Sequence, residues 1–161
     1  METTLTSELL QNAVDHALLD VMPKVGGITL LRGDSPPSGE LYTVYTIFDG
    51  EMPVNLALCG NAATFTHLTQ HMMGQEEIEP EDLADAAKEF FNVLCGHVAI
   101  ELFHATNLAL RFQIPQFGGG IQIPEGHTWQ FVLNYSGDKD ESMQVIQHTG
   151  VTSGVRDRIQ I

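Results

Sequence analysis

The fold is decided by PEDLADAAKEFFNVLCGHVAIELFH, residues Pro80–His104, which has the periodicity of one long amphipathic helix. Pro80 suits the first helical position, where no N–H is needed, and Glu81 and Asp82 place negative charge near the positive end of the helix dipole. At about 100° per residue the apolar side chains share one broad face. They are Leu83, Ala87, Phe90, Phe91, Leu94, Val98 and Leu102. We predict that this face packs into the core.

A polar stripe runs along the opposite side of the same predicted helix. Asp85, Glu89 and Asn92 stand at i, i+4 and i+7, and Gly96 continues the line without a side chain to block approach. We therefore expect the stripe to face outward. Taken alone, such a stripe is also what simple solvation of a helix surface produces.

The spacing of the stripe, together with a later proline, matches a known signature. Pro115 follows Asn92 after an interval of twenty-two residues. The series Asp85, Glu89, Asn92 and Pro115 resembles the signature of the chemotaxis phosphatase family that includes CheC, CheX and FliY. At average residue usage it would recur by chance in about a few chains per thousand of this length.

The resemblance implies an α+β fold, an antiparallel sheet covered by long helices on one face, over a single domain spanning residues 1–161. CheC-like proteins carry a second signature copy, whereas the N-terminal helix here offers only Glu8, followed at the Asn position by Gln11. The chain is therefore more similar to CheX. The resemblance to CheX also implies a homodimer, formed away from the stripe.

The resemblance further implies a phosphatase that acts on the aspartyl phosphate of a CheY-like response regulator. Asn92 would align water for attack on phosphorus, and Glu89 would dock on the active-site Lys of the regulator. Asp85 and Pro115 would support the signature. The regulator supplies the phosphoaspartate, the Lys and Mg²⁺, so we expect no cofactor and no metal of the chain's own. The alternative is a scaffold domain that binds a regulator without hydrolysing its phosphate.

The remaining chain predicts a packing helix, a second helix and several strands. The helices are Thr6–Met22, with Thr6 or Ser7 as the cap and Pro23 as the end, and Gly60–Met73. The strands are Ile28–Arg32, Leu41–Phe48, Val54–Leu58, Leu108–Ile114, Trp129–Tyr135 and Met143–His148. Turns are expected at Gly33–Gly39, Asp49–Gly50, Gly118–Gly120 and Gly137–Asp140, and the tail from Val151 is expected to fray.

Composition excludes several classes of partner. Seven Lys and Arg against 21 Asp and Glu give a formal charge of −14, which disfavours nucleic acid and anionic membranes. No apolar run approaches the roughly 18 residues of a spanning helix, and no export signal is evident, so we expect a cytoplasmic protein. Cys59 and Cys95 are expected to be free, buried thiols.

Three further motifs favour a structural interpretation. His67 and His71 have the i, i+4 spacing of a metal pair, and a metal sensor is a third functional alternative, but no third ligand accompanies them. His97, His104, His127 and His148 form no ligand spacing. The Arg32-Gly33-Asp34 tripeptide is expected to be an incidental loop sequence. Gly118–Gly120 lacks the Lys and Ser or Thr of a phosphate-binding loop.

Overall fold

The computed structural model describes residues 6–49, 54–120 and 131–149. Within these ranges three helices pack on one face of an antiparallel sheet, which confirms the predicted α+β fold. The helices are α1 (Ser7–Val21), α2 (Ala62–Met73) and α3 (Pro80–Thr106). The strands are β1 (Leu31–Gly33), β2 (Leu41–Asp49), β3 (Val54–Asn61), β4 (Arg111–Phe112), β5 (Gln116–Gly119), β6 (Phe131–Ser136) and β7 (Ser142–Thr149).

The two shorter helices begin at side-chain caps. The Leu9 N–H donates to the Thr6 hydroxyl, 3.1 Å, and the Thr64 N–H donates to the Asn61 carboxamide oxygen, 3.0 Å. The predicted start of α2 at Gly60 was two residues early, because β3 continues to Asn61. The α-helix α1 ends at Val21, one residue before the predicted end, but Pro23 does not end the helical conformation. It lies near the start of a π-helical turn, Met22–Gly26, where its missing N–H is tolerated.

The strands lie in the order β1-β6-β7-β3-β2, and β4 and β5 both pair with the outer edge of β2. The predicted strand over Leu108–Ile114 is confirmed only in part, because the strand formed there is limited to Arg111–Phe112. The predicted turn at Gly118–Gly120 was wrong for its first two residues, which belong to β5 and pair with Thr43 and Tyr42. Glycine carries no side-chain signal for a strand, and its pairing depends on β2, more than 70 residues earlier.

The first strand is displaced from its prediction. Pairing with β6 begins only at Leu31, whereas Ile28 and Leu30 are buried ahead of the strand. Arg32 and Gly33 lie in β1 and not in a loop, which corrects the expectation for the Arg-Gly-Asp tripeptide. The Arg32 guanidinium lies 5.8 Å from the centroid of the Tyr135 ring, so this arginine contributes to the fold.

The core forms between the helices and the inner face of the sheet. Its sheet side consists of alternate residues of β2, β3, β6 and β7, as expected where one face of each strand meets the helices. These residues are Val44, Phe48, Leu56, Leu58, Leu133, Tyr135, Met143 and Val145. Three predicted features lie partly or wholly outside the described residues: the Asp49–Gly50 turn, the start of the Trp129–Tyr135 strand and the tail from Val151.

Candidate functional site

The candidate site is built on α3, whose ends are defined by local hydrogen bonds. At its start the Asp82 carboxylate accepts from the Glu79 N–H at 2.8 Å, next to Pro80 at the first helical position. At its end Asn107 adopts a left-handed conformation, φ 61°, and its N–H donates to the Phe103 carbonyl at 2.7 Å. The helix therefore extends two residues beyond the predicted end at His104.

The exposure of the α3 side chains confirms the predicted division of the helix. Asp85, Glu89 and Asn92 are all exposed. Phe90 and Phe91 are fully buried, because α3 lies against the sheet and contacts both α1 and α2. The buried set spans more than half of the helix circumference at 100° per residue. It comprises Ala86, Ala87, Phe90, Phe91, Leu94, Cys95, Val98, Leu102 and Thr106.

The three polar side chains of the stripe are available to a partner. None of them makes a hydrogen bond or ion pair with another residue in the part of the chain that the structure describes. Asp85 and Asn92 are seven residue steps apart, so the stripe covers about 10 Å of helix at a rise of about 1.5 Å per residue. The stripe thus presents two carboxylates and one carboxamide, which together can accept hydrogen bonds and, through the amide, donate two.

Pro115 lies at the interrupted edge of the sheet, immediately before β5. The pairings of β4 and β5 with β2 leave residues 46–47 of β2 opposite residues 113–115 of the edge. The edge thus has one extra residue, a β-bulge, in which the missing N–H of the buried Pro115 costs no ladder hydrogen bond. The Thr46 hydroxyl donates to the Gln113 carbonyl at 2.6 Å. The geometry gives Pro115 a role in shaping the edge strand.

His67 and His71 have structural surroundings, as the sequence interpretation predicted. His67 Nδ1 lies 2.7 Å from a carboxylate oxygen of Glu141, whose side chain is only 3% exposed. The His71 ring covers Gly27, where a Cβ would lie 2.5 Å from the ring. Among residues 6–49, 54–120 and 131–149, no three His, Cys, Asp or Glu side chains gather as a metal site.

Cys59 and Cys95 are free and buried, as predicted. Burial raises the pKa of both thiols, most strongly that of Cys95. Both therefore remain protonated near neutral pH, and a buried protonated thiol is a poor nucleophile. The candidate chemistry accordingly rests on the stripe.

Sequence reasoning missed two exposed apolar side chains on α3. Ile100 is 58% exposed and Phe103 is 45% exposed. They stand four and seven residues after Gly96, so they continue the line of Glu89 and Asn92. Counting the stripe onward at the same spacing would have found them. Their apolar character predicts burial, so only their position in line with Glu89 and Asn92 indicates that they are exposed.

No helix within the described ranges combines the length and the apolar character needed to span a membrane.

A comparison with protein families identifies one family. The family model described as "Chemotaxis phosphatase CheX" matches residues 42–127, which is more than half of the chain. A sequence search of curated proteins found no match.

Three solved structures illustrate the structural similarity. CheX from Vibrio vulnificus superposes with a TM-score of 0.75 at 12% identity, covering 91% of this chain and all of that one. CheX from Desulfovibrio desulfuricans gives 0.73 at 13% identity, covering 88% and 99%. The CheX-CheY-BeF3-Mg²⁺ complex from Borrelia burgdorferi gives 0.68 at 16% identity, covering 89% and 97%. At such identities the similarity concerns the fold.

Proposed function

The chain belongs to the CheX family of chemotaxis phosphatases, and on that premise we propose that it accelerates hydrolysis of the aspartyl phosphate on a CheY-like response regulator. The observation that carries this proposal is the exposed stripe Asp85, Glu89 and Asn92, whose side chains have no hydrogen-bond partner among the described residues. A helix whose polar groups are held ready on an open face is suited to insertion into the active site of another protein. The CheX of Borrelia burgdorferi was solved with CheY, which supports a regulator as the partner.

Asn92 is the residue that we assign to the chemistry. Its carboxamide has one acceptor oxygen and two N–H donors and does not titrate near neutral pH, so it can orient a water molecule without acting as a base. The oriented water attacks phosphorus, the bond from phosphorus to the regulator's aspartate oxygen breaks, and the products are inorganic phosphate and a free carboxylate. Positioning water in line with the leaving oxygen is a recognised source of acceleration in phosphoryl transfer.

Glu89 is the residue that we assign to docking. It lies one helical turn before Asn92, about 4.5 Å along the axis, so both side chains can enter one active site. A pair between Glu89 and the regulator's active-site Lys would fix the register of α3 on the regulator and so place Asn92. Asp85, one further turn away, and Pro115, in the bulge at the sheet edge, are assigned only to supporting the signature.

The division of labour between the two proteins follows from the residues each brings. The regulator brings the phosphoaspartate, the Lys and the Mg²⁺, and this chain brings orientation and one negative charge at the contact. We therefore propose that the chain acts without a metal or cofactor of its own.

We also propose a homodimer formed away from the stripe. Light scattering tests this proposal by measuring the mass of the particle in solution.

The decisive experiment times phosphate loss. Each response regulator of the source cell is phosphorylated, and its phosphate lifetime is measured with and without the protein in the presence of Mg²⁺. We expect a shortened lifetime for at least one regulator. A protein that binds the BeF3-activated regulator but leaves every phosphate lifetime unchanged would instead be the scaffold domain.

A further inference from the structure

The exposed face of α3 continues beyond Asn92 without another acidic residue. Gly96, Ile100 and Phe103 follow Asn92 at intervals of four, four and three residues, and all three lie on the same side of the helix. The only carboxylate of α3 after Asn92 belongs to Glu101, which lies on the side of the helix facing α1 and is hydrogen-bonded to His16. In a chain of formal charge −14, this uncharged strip stands out from its surroundings.

Gly96 has no packing reason to be glycine. A Cβ built at this position meets no atom within 4 Å beyond its own helix. Glycine in a helix interior is less stable than alanine by up to about fivefold in the folding equilibrium constant. A glycine that the chain's own packing does not require is explained where another molecule must approach the helix closely.

Ile100 and Phe103 are the only large apolar side chains of α3 that the described structure leaves exposed. Along the axis they lie about 12 Å and about 16 Å from Asn92. A domain of 100 residues has a radius of gyration of about 13 Å, so a regulator seated on Asn92 also covers this part of the helix. A specific interface needs about 20–30 residues a side, far more than Glu89 and Asn92 provide.

We propose that the strip Gly96, Ile100 and Phe103 is the apolar half of the regulator's docking site, an inference that rests on the proposed function. Gly96 admits the backbone of the regulator at the edge of its active site, and Ile100 and Phe103 pack against an apolar patch beside it. The absence of acids on the strip fits a partner whose own active site carries carboxylates around a metal, because further negative charge there would repel it. A second copy of this chain on the same strip would cover Asn92 and prevent regulator binding.

The test uses the full chain, the double variant Ile100→Ser/Phe103→Ser, and the matched control Leu31→Ser. Leu31 is 70% exposed and lies on β1, at the sheet edge remote from β2, against which α3 packs. Phosphate release is measured over a range of phosphorylated-regulator concentrations, and affinity is measured with the BeF3-activated regulator. We expect the double variant to raise Kd and KM by about 10-fold to 100-fold with kcat little changed, while the control matches the unmodified chain.

Gly96→Ala gives a second and independent readout. Since no packing opposes the new methyl group, we expect a rise in Tm of about 2–4 °C together with weaker regulator binding. A structural glycine would instead lose stability on substitution.

The outcomes separate this proposal from the proposed function. If the double variant has normal phosphatase activity with unchanged KM and Kd, the proposal that the strip binds the regulator is wrong, and the proposed phosphatase function is unaffected. If the unmodified chain binds the regulator without accelerating phosphate loss, and the double variant weakens that binding, the strip is a docking site although the phosphatase function is wrong. A double variant that halves the particle mass in light scattering without weakening regulator binding would assign the strip to a chain–chain interface and overturn the proposal.

Discussion

Two groups of polar residues in this protein have similar chemistry and opposite surroundings. The side chains of the stripe, Asp85, Glu89 and Asn92, are exposed and make no hydrogen bond within the described chain. Glu141 is buried, and its carboxylate lies 2.7 Å from His67 and accepts from the Lys139 N–H at 2.7 Å. A buried polar group must be satisfied within the fold, whereas an exposed one at a fixed position can be reserved for another molecule. Changes in the first group should therefore alter function, and changes in the second should alter stability.

The largest effect is expected at Asn92. Asn92→Ala should lower accelerated phosphate loss by about 10²-fold, because the water loses its alignment, and should leave regulator binding and Tm nearly intact. Single-turnover phosphate release and titration with the BeF3-activated regulator measure the two separately. An Asn92→Ala variant with full activity would show that another residue holds the water.

Glu89 should fail in a different way. Glu89→Ala should weaken the regulator complex by about 2 kcal/mol or more, because a Lys of the regulator is left buried without its partner, and Glu89→Gln should recover little. Phosphate loss then falls through poorer docking and is restored at high protein concentration. A variant that binds normally and loses only its rate would move Glu89 from docking to the chemistry.

The buried group provides the opposite result. Glu141→Ala should lower stability by about 1–3 kcal/mol, since it leaves the Lys139 N–H and His67 without their acceptor. Thermal unfolding measures the loss, and the exposed Glu77→Ala is the matched control. Below the unfolding transition, phosphatase activity should equal that of the unmodified chain. A selective loss of activity in folded Glu141→Ala would mean that the two groups are coupled.

The smallest effect is expected at a pair that is exposed and yet partnered within the chain. The hydrogen bond to Glu101, and secondly its charge, raise the pKa of His16 above its ordinary value of 6.5. A raised pKa in the folded state stabilises the protein below pH 6.5, and this contribution is lost as the pH rises through the raised value. Glu101→Gln should therefore lower Tm slightly at pH 6 and not at pH 9. An equal difference at both pH values would exclude the ion pair as its cause.

The π-helical turn and the displaced first strand show where local sequence patterns fail to predict the ends of helices and strands. Pro23 predicts the end of a helix, yet the chain continues for one π-helical turn. The N–H groups at the start of a helical segment have no acceptor within that segment, so the missing N–H of proline costs no hydrogen bond there. Ile28 and Leu30 look like a strand, yet they are buried before the strand begins, because packing buries apolar residues with or without a ladder. The positions where these elements begin and end therefore depend on the residues that pack against them across the core.

The sequence by itself determined α3, the burial of its apolar face and the exposure of Asp85, Glu89 and Asn92. Helical periodicity is a local property, so the side on which a residue lies follows from its spacing once the apolar face is known. The signature spacing also led to the correct family. The sequence contained the exposure of Ile100 and Phe103 too, since they repeat the same spacing.

Only the tertiary structure decided the bulge at Pro115, the strand formed by Gln116–Gly119 and the contact of His67 with Glu141. Each depends on residues far apart in the chain: β2 pairs with an edge about 70 positions later, and His67 and Glu141 are separated by 74 positions. Sheet register and long-range hydrogen bonds are fixed by the closure of the whole core, and no local period encodes them.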